Sequence, residues 1–473
     1  MSNLPAIIQG GMGVGVSSWR LARAVSAIGQ LGVVSGTALD QVFARRLQDG
    51  DPGGHMRRGL DRFPFPAMAE RIWRTYYIAR GKRESASYRA LPMHAKENTR
   101  ELKELCIVAN FVEVTLAREG HQNPVGINYL EKIQIPHLPS IYGAMLAGVH
   151  YVLMGAGIPL KIPGVLDCFA NHQPASYTLH VTGAQDGDDN TMTFVPREFM
   201  ECDVPKLTRP TFLAIVSSTT LAVTLLRKAN GKVDGFVIEG DTAGGHNAPP
   251  RGKLQLNGLG EPIYGERDRV DVEKLRELGV PFWLAGGYGT PERLREALAA
   301  GAAGVQVGTA FAFCAESGLR GDYKQALLGK VISGEARVFT DPLASPTNFP
   351  FKVAQLEGSV SEHATYEARP RICDAGYLRE AYRTADGGID YRCPAEPATT
   401  YVSKGGKLEN TVGRKCVCNA LLANIGHPQI RNGKHMERGL VTAGDALIGI
   451  GRFVAPNQSE YTAADVITNL MNG

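Results

Sequence analysis

Through the first two-thirds of this 473-residue chain, short apolar runs rich in β-branched residues alternate with stretches whose apolar positions recur every three or four residues. Strands covered on both faces read as continuous apolar runs, so the alternation predicts a parallel sheet with crossover helices. Eight runs qualify, at 6–9, 32–35, 124–129, 150–154, 211–216, 235–239, 281–285 and 304–308. Eight such units predict an α/β fold, a closed TIM (β/α)8 barrel. Ser17 and Ser18 are placed to cap a helix through Trp19, Leu21, Ala22 and Val25. Thr290 and Pro291 open another, on which Leu294, Ala297 and Leu298 share one face.

Two segments interrupt the rhythm. Residues 50–104 read as a helical insertion rich in Arg and aromatics, and 160–209 as a polar β-ribbon turning at "AQDGDDN". Both follow strand ends, where barrel loops surround the active site, so either could act as a lid. From residue 336 the alternation stops. "FTDPLASPTNFPFK" is punctuated by prolines and reads as extended chain, because proline lacks the N–H that a helix needs. Residues 1–335 are therefore assigned to the barrel with its insertions and 336–473 to a C-terminal cap region.

A net charge of +4 and scattered Lys and Arg give no footprint for nucleic acid. The stretch from Arg57 to Arg89 is basic and aromatic, and reads as a solvated helical face. No apolar run approaches a membrane span, and the first residues lack the pattern of a secretion signal, so a cytoplasmic location is expected. Eight cysteines in so long a chain do not make a disulfide scaffold. Cys373, Cys393, Cys416 and Cys418 offer four thiolates that could hold zinc or an iron–sulfur cluster, but the spacing lacks the paired C-x-x-C of a metal knuckle, so buried free thiols are the leading reading and no metal is assigned.

The candidate chemistry sits at strand ends. Gly286 and Gly287 follow the seventh run, and Gly308 and Thr309 the eighth, the usual phosphate site of such barrels, where backbone N–H groups and a helix N-terminus converge. After the sixth run comes "IEGDTAGGHN", in which Gly244 and Gly245 permit close backbone approach and His246 can move protons near neutral pH. His172, His180 and His363 lack that strand-end context, and Cys314 reads as a small apolar packer. "QGGMGVG" falls short of a dinucleotide fingerprint, since Ser18 stands where the third glycine belongs.

Taken together, "IIQGGMG", "VGINY", "IEGDTAGGH", "LAGGYGTPERLREALAAGAAGVQVGTAF" and "AES" resemble the flavin-dependent nitronate monooxygenases, once called 2-nitropropane dioxygenases, which are close to FMN-containing enoyl-ACP reductases. The resemblance implies an FMN-binding barrel. It further implies that Gly11, Met12 and Asn128 contact the isoalloxazine ring and that Gly244 and Gly245 admit it. Gly286, Gly287, Gly308 and Thr309 would hold the phosphate, and His246 would be the active-site histidine. The chain departs from the family pattern at Gly10 and Gly11, where Ala-Pro is usual, and at Glu239 and Thr242, which replace Gln and Glu.

The leading expectation is an FMN-dependent oxidoreductase that oxidises alkyl nitronates with O2 to a carbonyl compound and nitrite. His246 would act as a general base or, protonated, would bind the nitro oxygens. The alternative is an NAD(P)H-dependent FMN enoyl-ACP reductase, or a trans-acting enoyl reductase of a fatty acid or polyketide synthase. A basic patch of Arg57, Arg58, Arg62 and Lys352 at the pocket mouth would favour it. A third reading is a non-catalytic flavin-binding accessory protein. The expected partners are a small-molecule substrate, either nitronate or enoyl thioester, and O2, with homo-oligomerisation left open and neither nucleic acid nor membrane involved.

Overall fold

The computed structural model describes residues 4–473. At its centre eight parallel strands close into a barrel: β1 (Ile7–Gln9), β2 (Leu31–Ser35), β3 (Val125–Leu130), β4 (Tyr151–Gly155), β5 (Thr211–Val216), β6 (Gly235–Glu239), β7 (Phe282–Ala285) and β8 (Gly304–Val307). Each lies within one residue of its expected bounds. The ring closes where β8 pairs with β1, Val305 opposite Ile7. Successive side chains alternate faces and so feed two cores. Ile8, Val33, Leu153, Leu213, Val237 and Trp283 fill the barrel, while Ile7, Val34, Phe212, Phe236 and Leu284 pack outward under the helices. The fully buried Trp283 donates its indole N–H to Pro5 O at 2.8 Å. Truncating it to Ala would cost about 3–5 kcal/mol.

Local chemistry explains where the helices begin. Ser18 is the N-cap of helix Trp19–Ala27, yet neither Ser17 nor Ser18 caps it with a side chain. Ser17 Oγ is occupied in the turn after β1, donating to Gly10 O at 2.9 Å and accepting from Met12 N at 2.8 Å. The N–H of Trp19 goes instead to Glu113 Oε1, 2.9 Å away. Helix Pro291–Ala299 starts as expected, with Thr290 accepting from Arg293 N at 3.3 Å. Its buried face holds Leu294 and Ala297 but not Leu298, which is exposed.

Of the first interruption, His55–Leu60 and Pro66–Tyr76 are helical, 77–99 has no regular structure, and Arg100–Ala117 is the long helix before β3. The helical expectation fails over 77–99 because Arg80 and Gly81 both turn the chain at positive φ. The second interruption opens with helix Ile162–Ala170, then makes a hairpin in which Ala175–Thr178 pairs antiparallel with Thr191–Phe194. Residues 336–473 straddle the barrel. Strands Val338–Asp341 and Phe351–Ala354 form a ribbon, and the second of them pairs with Gly245–His246 just beyond β6. At the other extreme, helix Ala463–Asn472 packs on helices Trp19–Ala27 and Pro291–Ala299. Among the described residues, no helix is long and apolar enough to cross a membrane.

Candidate active site

The C-terminal ends of all eight strands open into one cavity of about 490 Å³, roofed by residues of the 336–473 region. Every site residue expected from the sequence lines it: Gly11, Met12, Asn128, Gly244, Gly245, His246, Gly286, Gly287, Gly308 and Thr309. Among the other candidates, His172 is bound on both ring nitrogens, to Tyr142 Oη and Pro205 O, each at 2.9 Å. Cys314 is fully buried behind the cavity.

The floor begins with the turn after β1. Gln9 Nε2 donates to Ser17 Oγ at 2.8 Å, and its Oε1 accepts from Val33 N at 3.1 Å, so an otherwise costly buried amide fixes where Gly10–Gly13 run. A Cβ on Gly11 would fall 2.1 Å from Asn128 Oδ1. Glycine is required there because the Asn128 side chain crosses over it. Asn128 Oδ1 is itself buried without a hydrogen-bond partner, as is Gln306 Oε1, which shares the cavity. Two unsatisfied acceptors in one pocket each cost about 1–3 kcal/mol unless a donor arrives.

On the opposite side, Gly286 and Gly287 both sit at positive φ, +86° and +75°, where a side chain would be strained. They precede the first turn of helix Pro291–Ala299, whose N–H groups favour an anion. Thr309 Oγ1 accepts from Gly444 N at 2.9 Å, tying the roof to this end of the site. The exposed Arg452 also lines the cavity. The glycine turns, the helix start and this cation suit a phosphate, and the orphaned acceptors suit a heterocycle with N–H donors. The donor set therefore fits FMN.

His246 is held by the ribbon rather than by the barrel. Its backbone pairs with Phe351, its ring packs 4.6 Å from the Phe351 ring, and its Nε2 meets Ser345 Oγ at 2.6 Å. Thr347 Oγ1 lies 2.8 Å from the same hydroxyl. Nδ1 has no hydrogen bond among the described residues, and His246 lines the cavity. Burial, reinforced by the Lys132 ammonium, pulls the His246 pKa down to about 3. Burial therefore favours a neutral ring at pH 7 over the protonated, nitro-binding form.

Glu239, at the end of β6, shares the cavity with His246. Burial pushes its carboxyl up to about 7 against the opposing pull of Lys132. Lys132 is lowered to about 7 by burial, against Glu131 and Glu239. The pocket thus holds a carboxyl whose pKa is raised by burial, with the similarly lowered Lys132 amine lining the adjoining cavity.

The proposed basic mouth does not form. Lys352 is 4% exposed and pairs with Asp445 at 2.8 Å. Arg57 pairs with Asp61, and Arg58 and Arg62 pair with Glu119, none of them lining the cavity. Sequence reasoning missed Ser345, Phe351, Arg452 and Gln306. Only Gln306 left a signal, an amide inside the apolar run of β8.

Residues 195–337 match the family model described as Nitronate monooxygenase. The nitronate monooxygenase of Paraburkholderia phytofirmans is 27% identical over 261 residues, which cover 51% of this chain and 63% of that protein. The nitronate monooxygenase of Pseudomonas aeruginosa is 30% identical over 174 residues, 36% of this chain and 42% of that protein. The aligned stretches thus span less than two-thirds of either relative. Among solved structures, FabK from Thermotoga maritima aligns over 99% of this chain and 91% of its own with a TM-score of 0.47 and 16% identity. The segment that matches this model runs from before β5 through β8 and includes His246.

Proposed function

We propose that this chain is an FMN-dependent oxidoreductase that oxidises alkyl nitronates with O2 to a carbonyl compound and nitrite. The observation that carries the reading is the shared cavity of His246, Asn128 and the paired strand-end glycines, in a barrel whose residues 195–337 match the Nitronate monooxygenase family model. When bound, FMN would supply the electron-transfer chemistry. Asn128 and Gln306 would meet the polar edge of the ring, their unpaired amide oxygens open to its N–H, while Gly286, Gly287, Thr309 and Arg452 would hold its phosphate. Neutral His246, anchored through Nε2 by Ser345, presents Nδ1 to the substrate as a hydrogen-bonding or proton-accepting group. The roof keeps bulk water from the reacting atoms.

One observation favours the reductase reading as a second. Two side cavities adjoin the site, one of about 400 Å³ that shares Ile133, Tyr377 and Leu378 with it, the other of about 320 Å³ that shares Glu239 and His246. They offer more length than a small nitronate needs and would suit an extended acyl chain. An anaerobic titration of the flavin-loaded protein separates the readings. Bleaching by a small alkyl nitronate alone supports the monooxygenase. Reduction by NADPH or NADH only, followed by reoxidation with an enoyl thioester, overturns it in favour of the reductase. Neither response, with His246→Ala leaving cellular activity unaltered, would leave the accessory role.

A further inference from the structure

Two residues beyond β3, Lys132 sits in the wall of the 400 Å³ side cavity and forms no ion pair among the described residues. The similarly sheltered Lys352, Lys404 and Lys415 each hold a carboxylate, at 2.8, 3.1 and 2.9 Å. A sheltered amine without a carboxylate is costly as a cation, so its neutral form is within reach. What Lys132 does touch is one loop of the roof. Its amine lies over the face of the Phe349 ring and 3.5 Å from Thr347 Oγ1.

From Thr347 a line of hydrogen bonds runs to His246. Thr347 Oγ1 is 2.8 Å from Ser345 Oγ, and Ser345 Oγ is 2.6 Å from His246 Nε2. Ser345 is fully buried, so bulk water does not compete for these bonds. The buried Arg414 fixes the loop that carries both hydroxyls, donating to Leu343 O at 2.9 Å, to Ser345 O at 2.5 Å and to Asn348 Oδ1. His246 opens on the main cavity, while Thr347 and Lys132 open on the side cavity, so the line crosses from one to the other. Its longest link is the last, and bonds of this kind commonly tighten when substrate binds.

An isolated histidine at this place would be a poor base, because burial pulls its pKa down to about 3 and makes the imidazolium costly. The Lys132 amine, at about 7, holds a proton far better. Glu131, Glu239 and the Phe349 ring all favour the ammonium once it forms. We propose that Ser345, Thr347 and Lys132 relay to the side cavity the proton that His246 takes from the α-carbon of a neutral nitroalkane. The relay rests on the oxidase reading above and extends its substrates from preformed nitronates to their parent carbon acids.

In this step the α C–H bond breaks, its electron pair stays on the substrate as the nitronate, and the proton bonds to His246 Nδ1. Nε2 gives its proton to Ser345 Oγ, Ser345 gives its own to Thr347 Oγ1, and Thr347 gives its own to the neutral Lys132 amine. The histidine ends neutral in its other tautomer, both hydroxyls are restored, and the positive charge rests on Lys132. No oxidant or reductant is consumed. A preformed nitronate has already lost that proton, so for it these groups serve only to anchor His246.

The test compares neutral nitroethane with preformed ethylnitronate by oxygen uptake, using the flavin-loaded full chain. Wild type should oxidise both. Lys132→Ala should lower kcat/KM for nitroethane about 100-fold, and for ethylnitronate by a factor at least about tenfold smaller. Added methylamine should restore nitroethane oxidation to Lys132→Ala in proportion to the free amine, a response that a structural defect would not give. Thr347→Val should show the same split between substrates, and Thr347→Ser, which keeps the hydroxyl, should recover most of the loss. Equal losses on the two substrates, no revival by methylamine, or a wild type that takes ethylnitronate but not nitroethane would overturn the relay and leave nitronate oxidation standing. A wild type inert to both would overturn the two together.

Discussion

Gly10 and Gly11 are neighbours in sequence, yet the geometry assigns them opposite tolerance to a single methyl group. At Gly11 an added Cβ would lie 2.1 Å from Asn128 Oδ1 and 2.4 Å from Asn128 Cγ. At Gly10 the nearest atoms are the Gln306 side chain at 3.4 Å, ordinary contact. Neither position has a positive φ, so the difference is steric and not conformational. Gly11→Ala must push Asn128 off its rotamer, and overpacking of this kind costs about 1–3 kcal/mol. If that cost falls on the flavin-competent geometry, FMN affinity should drop about 5- to 150-fold, at about 1.4 kcal/mol per decade. Gly10→Ala should change it less than about threefold. Quenching of FMN fluorescence on titration into apoprotein measures both, with far-UV circular dichroism as the control for folding. Equal affinities for the two variants would refute the claim that Asn128 must cross over Gly11 to bind flavin.

Three further outcomes follow from the site. Ser345→Ala removes the anchor on His246 Nε2 and should lower kcat/KM about 2- to 12-fold, the worth of a hydrogen bond of about 0.5–1.5 kcal/mol, with FMN affinity unchanged. Glu239 has a folded pKa raised to about 7, so the protonated form is favoured in the native state and stability is lost as pH rises from the usual carboxyl value through 7. Apo Glu239→Gln should therefore gain Tm over wild type at pH 8 and lose that gain at pH 4. His246 is displaced the other way, to about 3, so its contribution is present above pH 6.5 and lost as pH falls toward 3. Apo His246→Asn should show a shallower fall in Tm between pH 6.5 and 4.5, and an unchanged slope would locate the acid sensitivity elsewhere.

The barrel was legible because each strand is buried on both faces and so appears as an uninterrupted apolar run between glycines. His246 and the phosphate-end glycines were legible for a related reason, since chemistry placed at strand ends must follow such runs directly. The roof was not. Ser345 and Phe351 reach His246 across about a hundred residues, and Arg452 reaches the phosphate end from farther still, with no periodicity to mark them. Local rules also misled where a tertiary partner outbid them, as when Ser17 turned back to bind Gly10 and Met12 and left Trp19 N–H to Glu113. Lys352 looked like a surface cation until burial against Asp445 withdrew it.

The pairing of His246 with Phe351 sets an order on synthesis. The ribosome completes the eighth barrel strand at Val307, but the strand that seats His246 emerges more than forty residues later, and the residues that roof the phosphate end later again. A nascent chain that has finished its barrel would still have an open mouth and an unseated histidine. Cofactor retention and reactivity should then be properties only of the finished polypeptide, and a chain cut at 335 would be a barrel without an active site.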